Sequence, residues 1–406
     1  MRRFVMNNFN HWIRFSIYSV AGVVVLIFLL GGCVGPPALQ RSVIGYDETT
    51  ARLEQQLLLL NIARVNSGLP IHFTTTSSIA ATFDWTSTLG VGGQIQESKG
   101  TNFLDLRLGA SASENPTFSI VPVTGEQFTK RVLTPFSEDA FNLGVFQGER
   151  IDRLMRLMSK GIEFQGPDGS FVRQVSNDPS KPGEFEEFRR LAAHLQWLNS
   201  NQQLFVRTLV FIDRLVEDFK GQPRSKDITE GLGKGVTWRQ KPDGNWELTR
   251  LLSGRVLVAN YDPIALSDKQ RFQLNGKLRK SPESFVHLDI RRGDPGGDFP
   301  VRGVIKLRSL SEIIAFIADG ISEAPEFDVK KDTRTGEIEP TPPATLKINV
   351  TDSEPQNNVP SIRYDGKYYS VADNKWDRWS FTLLSSLFQT AVGEIRDVGL
   401  PITIAK

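Results

Sequence analysis

The feature that most constrains this chain is a run of alternating side chains between Ile71 and Ile95. The odd positions carry most of the large apolar side chains, among them Phe83 and Trp85, and the even positions are mainly polar or small. Alternation with a period of two predicts a β-strand with one apolar and one polar face. Segment 104–112 repeats the alternation after a polar stretch at 97–102. The pattern therefore predicts a hairpin and excludes an all-helical fold.

The register of this hairpin can be tested by parity. If Gln96 pairs with Phe103, then Ile95 faces Leu104 and the apolar positions of both strands fall on the same face. A slip of one residue would place them on opposite faces. The sequence thus predicts an antiparallel hairpin whose strands are much longer than the usual length of about 5–6 residues.

Two uses of the 71–112 hairpin remain open at this point. It could form part of a soluble antiparallel sheet whose apolar face packs on helices of the same chain. Alternatively, several subunits could each donate a hairpin to a shared membrane barrel, in which a spanning strand needs about 9–11 residues. Ser87 and Gly93 would then face lipid, which favours the soluble sheet.

Helical periodicity surrounds the hairpin on both sides. Thr49 and Thr50 can cap a helix that stops at Gly68, and Thr124 has capping-box spacing before a second helix. Ser137 can cap the next helix, and Gly161 is the predicted stop of the one after it. These helices are expected to cover the hairpin.

The remainder of the chain predicts a second region of mixed helices and antiparallel strands. Segment 204–215 fits either a strand or a helix, because its apolar pattern does not decide between them. Tyr364-Asp365-Gly366-Lys367-Tyr368 predicts a tight hairpin. The fold class is therefore α+β. The chain divides into a helix, long hairpin and helical cover at 49–164, a linker or surface loop at 165–183, and a C-terminal α+β domain at 184–406 with an exposed loop at about 323–345.

Composition and charge exclude several classes of protein. One Cys and four His among 406 residues exclude disulfide scaffolds and Cys/His zinc modules, and we predict no metal and no cofactor. Residues 1–32 contain three Arg and no acidic residue, so of the chain's 48 Lys and Arg and 46 Asp and Glu, 45 and 46 remain beyond residue 32. A nearly neutral chain lacks the broad positive field that nucleic acid requires.

The N-terminus has the composition of a targeting segment. Arg2, Arg3 and Arg14 precede an apolar run from Val20 to Leu30. This run of about 11 residues is shorter than the roughly 20 that span a bilayer, so it predicts a cleaved secretory signal, with a retained signal anchor as the alternative.

Leu30-Gly31-Gly32-Cys33 ends this run with two small residues and the only cysteine of the chain. The combination resembles the lipobox of bacterial lipoproteins. The resemblance implies a signal peptide at 1–32, diacylglycerol and palmitate on Cys33, and a lipidated tether at 33–48. Val34 stands where Asp would mark retention at the inner membrane. The resemblance therefore implies a lipid anchor on the periplasmic face of the outer membrane.

Residues with catalytic potential are sparse. His72, His194 and His287 are far apart in sequence, and we interpret His194 as a packing residue of a helix. No catalytic residue is predicted. Trp376 and Trp379, with Tyr364 and Tyr368 on the preceding hairpin, form a candidate stacking site for a sugar or a protein partner. Core packing between that hairpin and the last helix would explain the same four residues.

Beyond the lipobox, the chain resembles uncharacterised envelope lipoproteins of Gram-negative bacteria. This resemblance implies a class of protein and no particular activity. The expected function is non-enzymatic: assembly, scaffolding or export in the envelope through contacts with other envelope proteins or with copies of the same chain. The alternative hypothesis is an envelope hydrolase or glycan-binding protein that acts near Trp376 and Trp379.

Overall fold

The computed structural model describes residues 35–94, 103–122, 124–392 and 402–404. These residues have an α+β fold and divide into two compact units. The first comprises the described residues of Met1–Gln55, Ser78–Ser119 and Thr403–Lys406, and the second those of Gln56–Ser77 and Ile120–Ile402.

The helices and strands are numbered here along the chain. The helices are α1 (Gly35–Asn66), α2 (Gly125–Phe128) with a π-helical turn (Thr129–Leu133), α3 (Glu138–Phe146), α4 (Ile151–Met158), α5 (Pro182–Ser200), α6 (Ser225–Gly233), α7 (Asp268–Leu278), α8 (Leu310–Ser322) and α9 (Lys375–Val392). The strands are β1 (Thr74–Gln94), β2 (Phe103–Pro122), β3 (Ser159–Gln165), β4 (Phe171–Ser176), β5 (Phe205–Phe219), β6 (Val236–Gln240), β7 (Trp246–Ala259), β8 (Phe285–Ile290), β9 (Val301–Leu307), β10 (Ile348–Thr351), β11 (Ser361–Tyr364), β12 (Lys367–Val371) and β13 (Ile402–Ile404).

The long strands predicted from the alternation are present. Strands β1 and β2 contain 21 and 20 residues and are neighbours in a three-stranded sheet of order β1-β2-β13. The predicted turn at 97–102 and the proposed partner Gln96 lie outside the described residues. The choice between a soluble sheet and a membrane-inserted hairpin stays a prediction.

Helix α1 begins earlier than predicted. It starts at Gly35, so most of the segment interpreted as a tether at 33–48 is helical and Thr49 lies inside the helix. Pro36 and Pro37 are the second and third residues of this helix. Proline is tolerated in the first turn of a helix because the N–H groups there have no partner within the helix.

The second unit is built on a seven-stranded mixed sheet of order β4-β3-β9-β8-β7-β5, in which β6 also pairs with β7. Strands β7 and β8 are parallel, although the sequence predicted only antiparallel strands for this region. The connection between them carries α7, and parallel neighbours need such a crossover. The other pairs in this sheet are antiparallel.

Segment 165–183, predicted to be a linker or a surface loop, is not a linker between domains. It contains β4, which pairs with β3, and the whole segment lies inside the second unit. Gly161, predicted to stop a helix, lies in β3, where a Cβ atom would come within 2.2 Å of the carbonyl oxygen of Val175. The predicted domain boundary fails because the chain between the two strands is a turn within one sheet.

Helices cover the mixed sheet on both faces at β7. Val256 and Val258 belong to the main core, which includes buried residues of α4, α5, α8 and α9. Leu257 and Ala259 belong to a smaller cluster, packed by Leu274 and Leu278 of α7. Successive residues of a strand point to opposite faces, so β7 contributes to both clusters.

Segment 204–215, left open by the sequence, is a strand because β5 pairs with β7 along its length. The tight hairpin at 364–368 is confirmed: Tyr364 pairs with Lys367, and Asp365 and Gly366 have φ of 46° and 79°. Positive φ at both central residues is the geometry of a type I′ turn. Strands β10, β12 and β11 form a small antiparallel sheet in that order.

Segment 323–345 has no helix or strand, as predicted, but it is not simply exposed. Thr335 is 3% exposed and Thr345 is fully buried. Glu326 forms an ion pair of 2.6 Å with Arg189 of α5, and its side chain is 6% exposed. Its acidic and proline-rich composition predicted exposure, whereas α4 and α5 supply buried arginines that hold the loop in place.

Candidate functional site

Trp376 and Trp379 lie on the first turns of α9. Asn374 caps this helix, because its Oδ1 accepts a hydrogen bond from the backbone N–H of Asp377 at 3.0 Å. Asp377 in turn accepts a hydrogen bond from the backbone N–H of Lys347 at 2.8 Å. The cap fixes where the helix begins, and residues three apart then share one face.

The two tryptophans have different environments. Trp376 is 8% exposed, and its indole N–H donates to the carbonyl oxygens of Ala344 and Thr345 at 3.2 and 3.1 Å. Trp379 is 49% exposed. Trp376 is therefore a core residue that anchors the 323–345 loop, and Trp379 offers an accessible ring.

Three arginines spaced three residues apart approach the ring of Trp376. The guanidinium carbons of Arg150, Arg153 and Arg156 lie 5.4, 4.6 and 4.8 Å from its centroid. Arg150 precedes α4 and the other two lie on it, so the helical repeat brings all three to one side. Cations at these distances are attracted to the negative face of an indole.

Carboxylates balance two of these charges. Arg150 makes a bidentate pair with Asp152 at 3.0 and 2.9 Å and a second pair with Glu339 at 2.8 Å. Arg153 pairs with Glu149 at 3.0 Å. Burial by itself would lower the pKa of Arg150, but the hydrogen bonds and charges of Asp152 and Glu339 outweigh it and raise the pKa.

These residues border a cleft of about 570 Å³ that we call the Trp379 cleft. The lining includes both tryptophans and the following polar or charged residues: Gln147, Glu149, Arg150, Arg153, Glu339, Asn374 and Lys375. Its volume falls in the range of about 300–1,000 Å³ that is usual for ligand sites. An exposed indole surrounded by hydrogen-bonding side chains can stack on a flat apolar face of a ligand and bond to its edges.

The tyrosines predicted to join this site do not line the Trp379 cleft. The ring centroids of Tyr364 and Tyr369 are 6.4 Å apart, and the guanidinium carbon of Arg363 lies 5.8 Å from the ring centroid of Tyr368. Tyr364 and Tyr368 precede Trp376 closely in the sequence, which suggested a shared surface. In the structure their rings instead contact residues of the neighbouring strand in the hairpin. Of the four residues predicted to form the stacking site, Trp376 and Trp379 lie together, and Trp379 alone of these two has an accessible ring.

Cys33 and the lipobox residues Leu30, Gly31 and Gly32 lie outside the described residues. No pattern in the sequence pointed to the arginines around Trp376 as part of a site. Their spacing of three along a predicted helix places them on one side of that helix. The sequence does not show what this side contacts, because Trp376 of α9 is more than 200 residues away along the chain.

The interpretation of His194 as a packing residue is confirmed. It is fully buried, Nδ1 lies 3.1 Å from Thr335 Oγ1, and Nε2 lies 3.1 Å from the carbonyl oxygen of Gly296. The ring packs against Trp197 and Phe299. Burial lowers the pKa of His194 and so favours the neutral imidazole.

Comparisons with known proteins add no relative: no protein-family model, curated protein or solved structure matches this chain. Within the part of the chain that the structure describes, no group of three or more His, Cys, Asp or Glu side chains could hold a metal ion. Among the described helices, none is long and apolar enough to cross a membrane.

Proposed function

We propose that this chain is a lipid-anchored, non-enzymatic lipoprotein on the periplasmic face of the outer membrane, where it acts in envelope assembly, scaffolding or export through protein contacts. The observation that carries the proposal is Leu30-Gly31-Gly32-Cys33 directly after a basic start and a short apolar run. Two or three acyl chains on one residue would hold the protein at a membrane almost permanently, at about 0.8 kcal/mol per buried methylene.

The Trp379 cleft supports a binding role over a chemical one. Its acidic side chains Glu149 and Glu339 are engaged by Arg153 and Arg150. Each of these carboxylates is held in an ion pair with an arginine that itself faces the ring of Trp376, so both serve the packing of the cleft wall. The exposed ring of Trp379 is instead suited to packing against a partner.

Metabolic labelling with an alkyne-bearing palmitate in a Gram-negative host tests the anchor. We expect the wild type to be labelled, shortened by its leader and found in the outer membrane, and Cys33→Ala to be unlabelled and unprocessed. Val34→Asp is the matched variant: it should still be labelled but remain in the inner membrane. Wild-type protein with an unmodified thiol and its leader attached would contradict the proposal.

A second candidate function, glycan binding, is favoured by the half-exposed ring of Trp379 in a cleft of this size. Trp379→Ala should weaken binding to soluble glycan strands from purified peptidoglycan by about 10- to 30-fold, because a stacked tryptophan at the centre of a site contributes about 2 kcal/mol. Isothermal titration calorimetry measures this affinity.

The matched control for that titration is Phe272→Ala, which removes a ring of similar exposure, 56%, from α7. This variant should bind as the wild type does. Glycan binding is ruled out if the wild type gives no saturable heat, or if Trp379→Ala and Phe272→Ala bind equally well.

A further inference from the structure

A second cleft of about 290 Å³ lies between helices α4 and α5 and the 328–342 part of the loop. We call it the Arg156 cleft. Four cationic side chains from three segments of the chain line it: Arg156, Arg189, Arg190 and Lys331. It adjoins Pro340, which also lines the Trp379 cleft. Neither the sequence pattern nor the proposed function assigns it a role.

The charge of Arg156 has no direct counter-ion. Its side chain is 2% exposed, and its nitrogens donate to Thr341 and Thr345 hydroxyls and to the carbonyl oxygens of Pro342 and Pro343. Within the described ranges it forms no ion pair with a carboxylate. Neutral oxygens satisfy its donors but leave a buried positive charge, which is costly in a protein interior.

A second guanidinium increases this cost. Arg189 donates to Glu326 at 2.6 Å and also to the carbonyl oxygen of Pro343 at 2.7 Å, the atom that accepts from Arg156 at 2.6 Å. Two like charges thus meet at one oxygen atom and repel each other. Burial, followed by the nearby charge of Arg189, lowers the pKa of Arg156 to about 9, so it remains a cation at neutral pH.

The acidic residues that line the cleft do not contact the guanidinium of Arg156. Asp152 is held by the bidentate pair with Arg150, and Glu337 pairs with Lys331 at 2.6 Å. Asp328 lines the cleft as an exposed residue. The charges of Glu326, Asp152 and Asp377 act on Arg156 from a distance, so the buried guanidinium beside the cleft has nearby negative charges but no carboxylate in direct contact among the described residues.

We propose that the Arg156 cleft binds a phosphate group, with Arg156 and Arg189 at its buried side and Arg190 and Lys331 at its exposed side. The side chains of Arg190 and Lys331 are 38% and 40% exposed. Each pairs with an exposed carboxylate, Glu186 or Glu337, and a phosphate that enters from solvent would compete with that carboxylate for the cation. A single guanidinium can already satisfy a planar carboxylate through two parallel hydrogen bonds. Donors that come from three segments of the chain are better matched to the oxygens of a tetrahedral phosphate.

Calorimetric titration of the detergent-solubilised full chain with inorganic phosphate, against sodium chloride at equal ionic strength, tests this proposal. We expect saturable binding to the wild type. Arg190→Gln with Lys331→Gln should weaken it by about a hundredfold or more, because two charge-assisted hydrogen bonds to the phosphate are lost together. Both side chains are partly exposed, and circular dichroism should show an unchanged fold.

The control is Lys160→Gln with Arg173→Gln, which removes the same charge from side chains that are 42% and 47% exposed outside the cleft. This double variant should bind phosphate as the wild type does. If the test pair fails to fold, Lys331→Gln alone replaces it, because its partner Glu337 is 96% exposed.

The source of the phosphate is distinguished by a parallel titration with glycerol 3-phosphate. Binding at least as tight as that of inorganic phosphate indicates a phosphate carried on a larger molecule, such as a lipid headgroup, and binding of inorganic phosphate alone indicates the free ion. The proposal is overturned by the absence of saturable heat, or by equal loss in the test and control pairs. Because Cys33 takes no part, this outcome is independent of the lipid anchor.

Discussion

Replacing Arg255 with methionine is expected to lower the free energy of unfolding of the second unit by about 3–5 kcal/mol, the usual cost of removing one partner of a buried ion pair. Arg255 lies on β7, is 6% exposed, and donates through Nε to Glu138 of α3 at 2.5 Å. Its terminal nitrogens donate to the carbonyl oxygens of Leu278, Ser281, Pro282 and Phe285.

Methionine fills similar space but donates no hydrogen bond, so the substitution leaves Glu138 without its ion-pair partner and removes the four hydrogen bonds from Arg255 to these carbonyl groups. Burial already raises the pKa of Glu138 despite the nearby Arg255, so an isolated carboxylate there is unfavourable. Urea denaturation followed by circular dichroism measures the loss. Adding Glu138→Met to Arg255→Met should restore part of the stability, because no buried charge then remains.

Arg250→Met is the matched control on the same strand. Arg250 pairs with Asp213 at 2.8 Å, but their side chains are 45% and 33% exposed. Exposed pairs contribute about 1 kcal/mol or less, so this variant should stay close to the wild type. A loss in Arg255→Met no larger than that in Arg250→Met would contradict the argument.

Acidification is expected to destabilise the second unit through His287. This residue of β8 is 4% exposed, and its Nε2 lies 3.1 Å from the carbonyl oxygen of Leu278. Burial, followed by the positive charge of Arg255, lowers the pKa of His287 to about 4. The folded state therefore favours the neutral imidazole, and an imidazolium there would lie close to a guanidinium.

The sign of the effect follows from the lowered pKa. At pH values above the ordinary pKa of 6.5, His287 makes its full contribution to the free energy of unfolding. That contribution is lost as the pH falls from 6.5 towards 4, because the unfolded state binds the proton more readily than the folded state. The loss amounts to about 3 kcal/mol at 1.36 kcal/mol per pKa unit. His194, whose pKa is also lowered, adds to the loss in the same direction.

Denaturation curves at pH 7 and pH 4 for the wild type and His287→Gln measure this contribution. The difference in stability between the two pH values should shrink by about 3 kcal/mol in the variant. His72→Gln replaces an exposed histidine and should retain the wild-type difference. An unchanged difference in His287→Gln would show that the acid sensitivity arises elsewhere.

The conformation of the loop at 323–345 could be predicted only in part from the sequence. Its lack of regular structure followed from proline and polar residues, but its burial did not. Arg156 reaches Pro343, 187 residues away, and Arg189 reaches Glu326, 137 residues away. No local pattern reports such pairings, because the partners become neighbours only after α4 and α5 pack beside the loop.

The sequence by itself determined the features that depend on neighbouring residues. Alternation with a period of two predicted the long strands, Ser309 caps α8 with a capping box, and Asp365-Gly366 forms the tight turn. The tertiary structure alone decided that segment 204–215 is a strand, that 165–183 is no linker and that Trp376 is buried beneath three arginines. A local sequence pattern indicates the preferred backbone conformation and which side of a helix or strand is apolar. Burial and charge pairing depend instead on which helices, strands and loops the fold brings into contact.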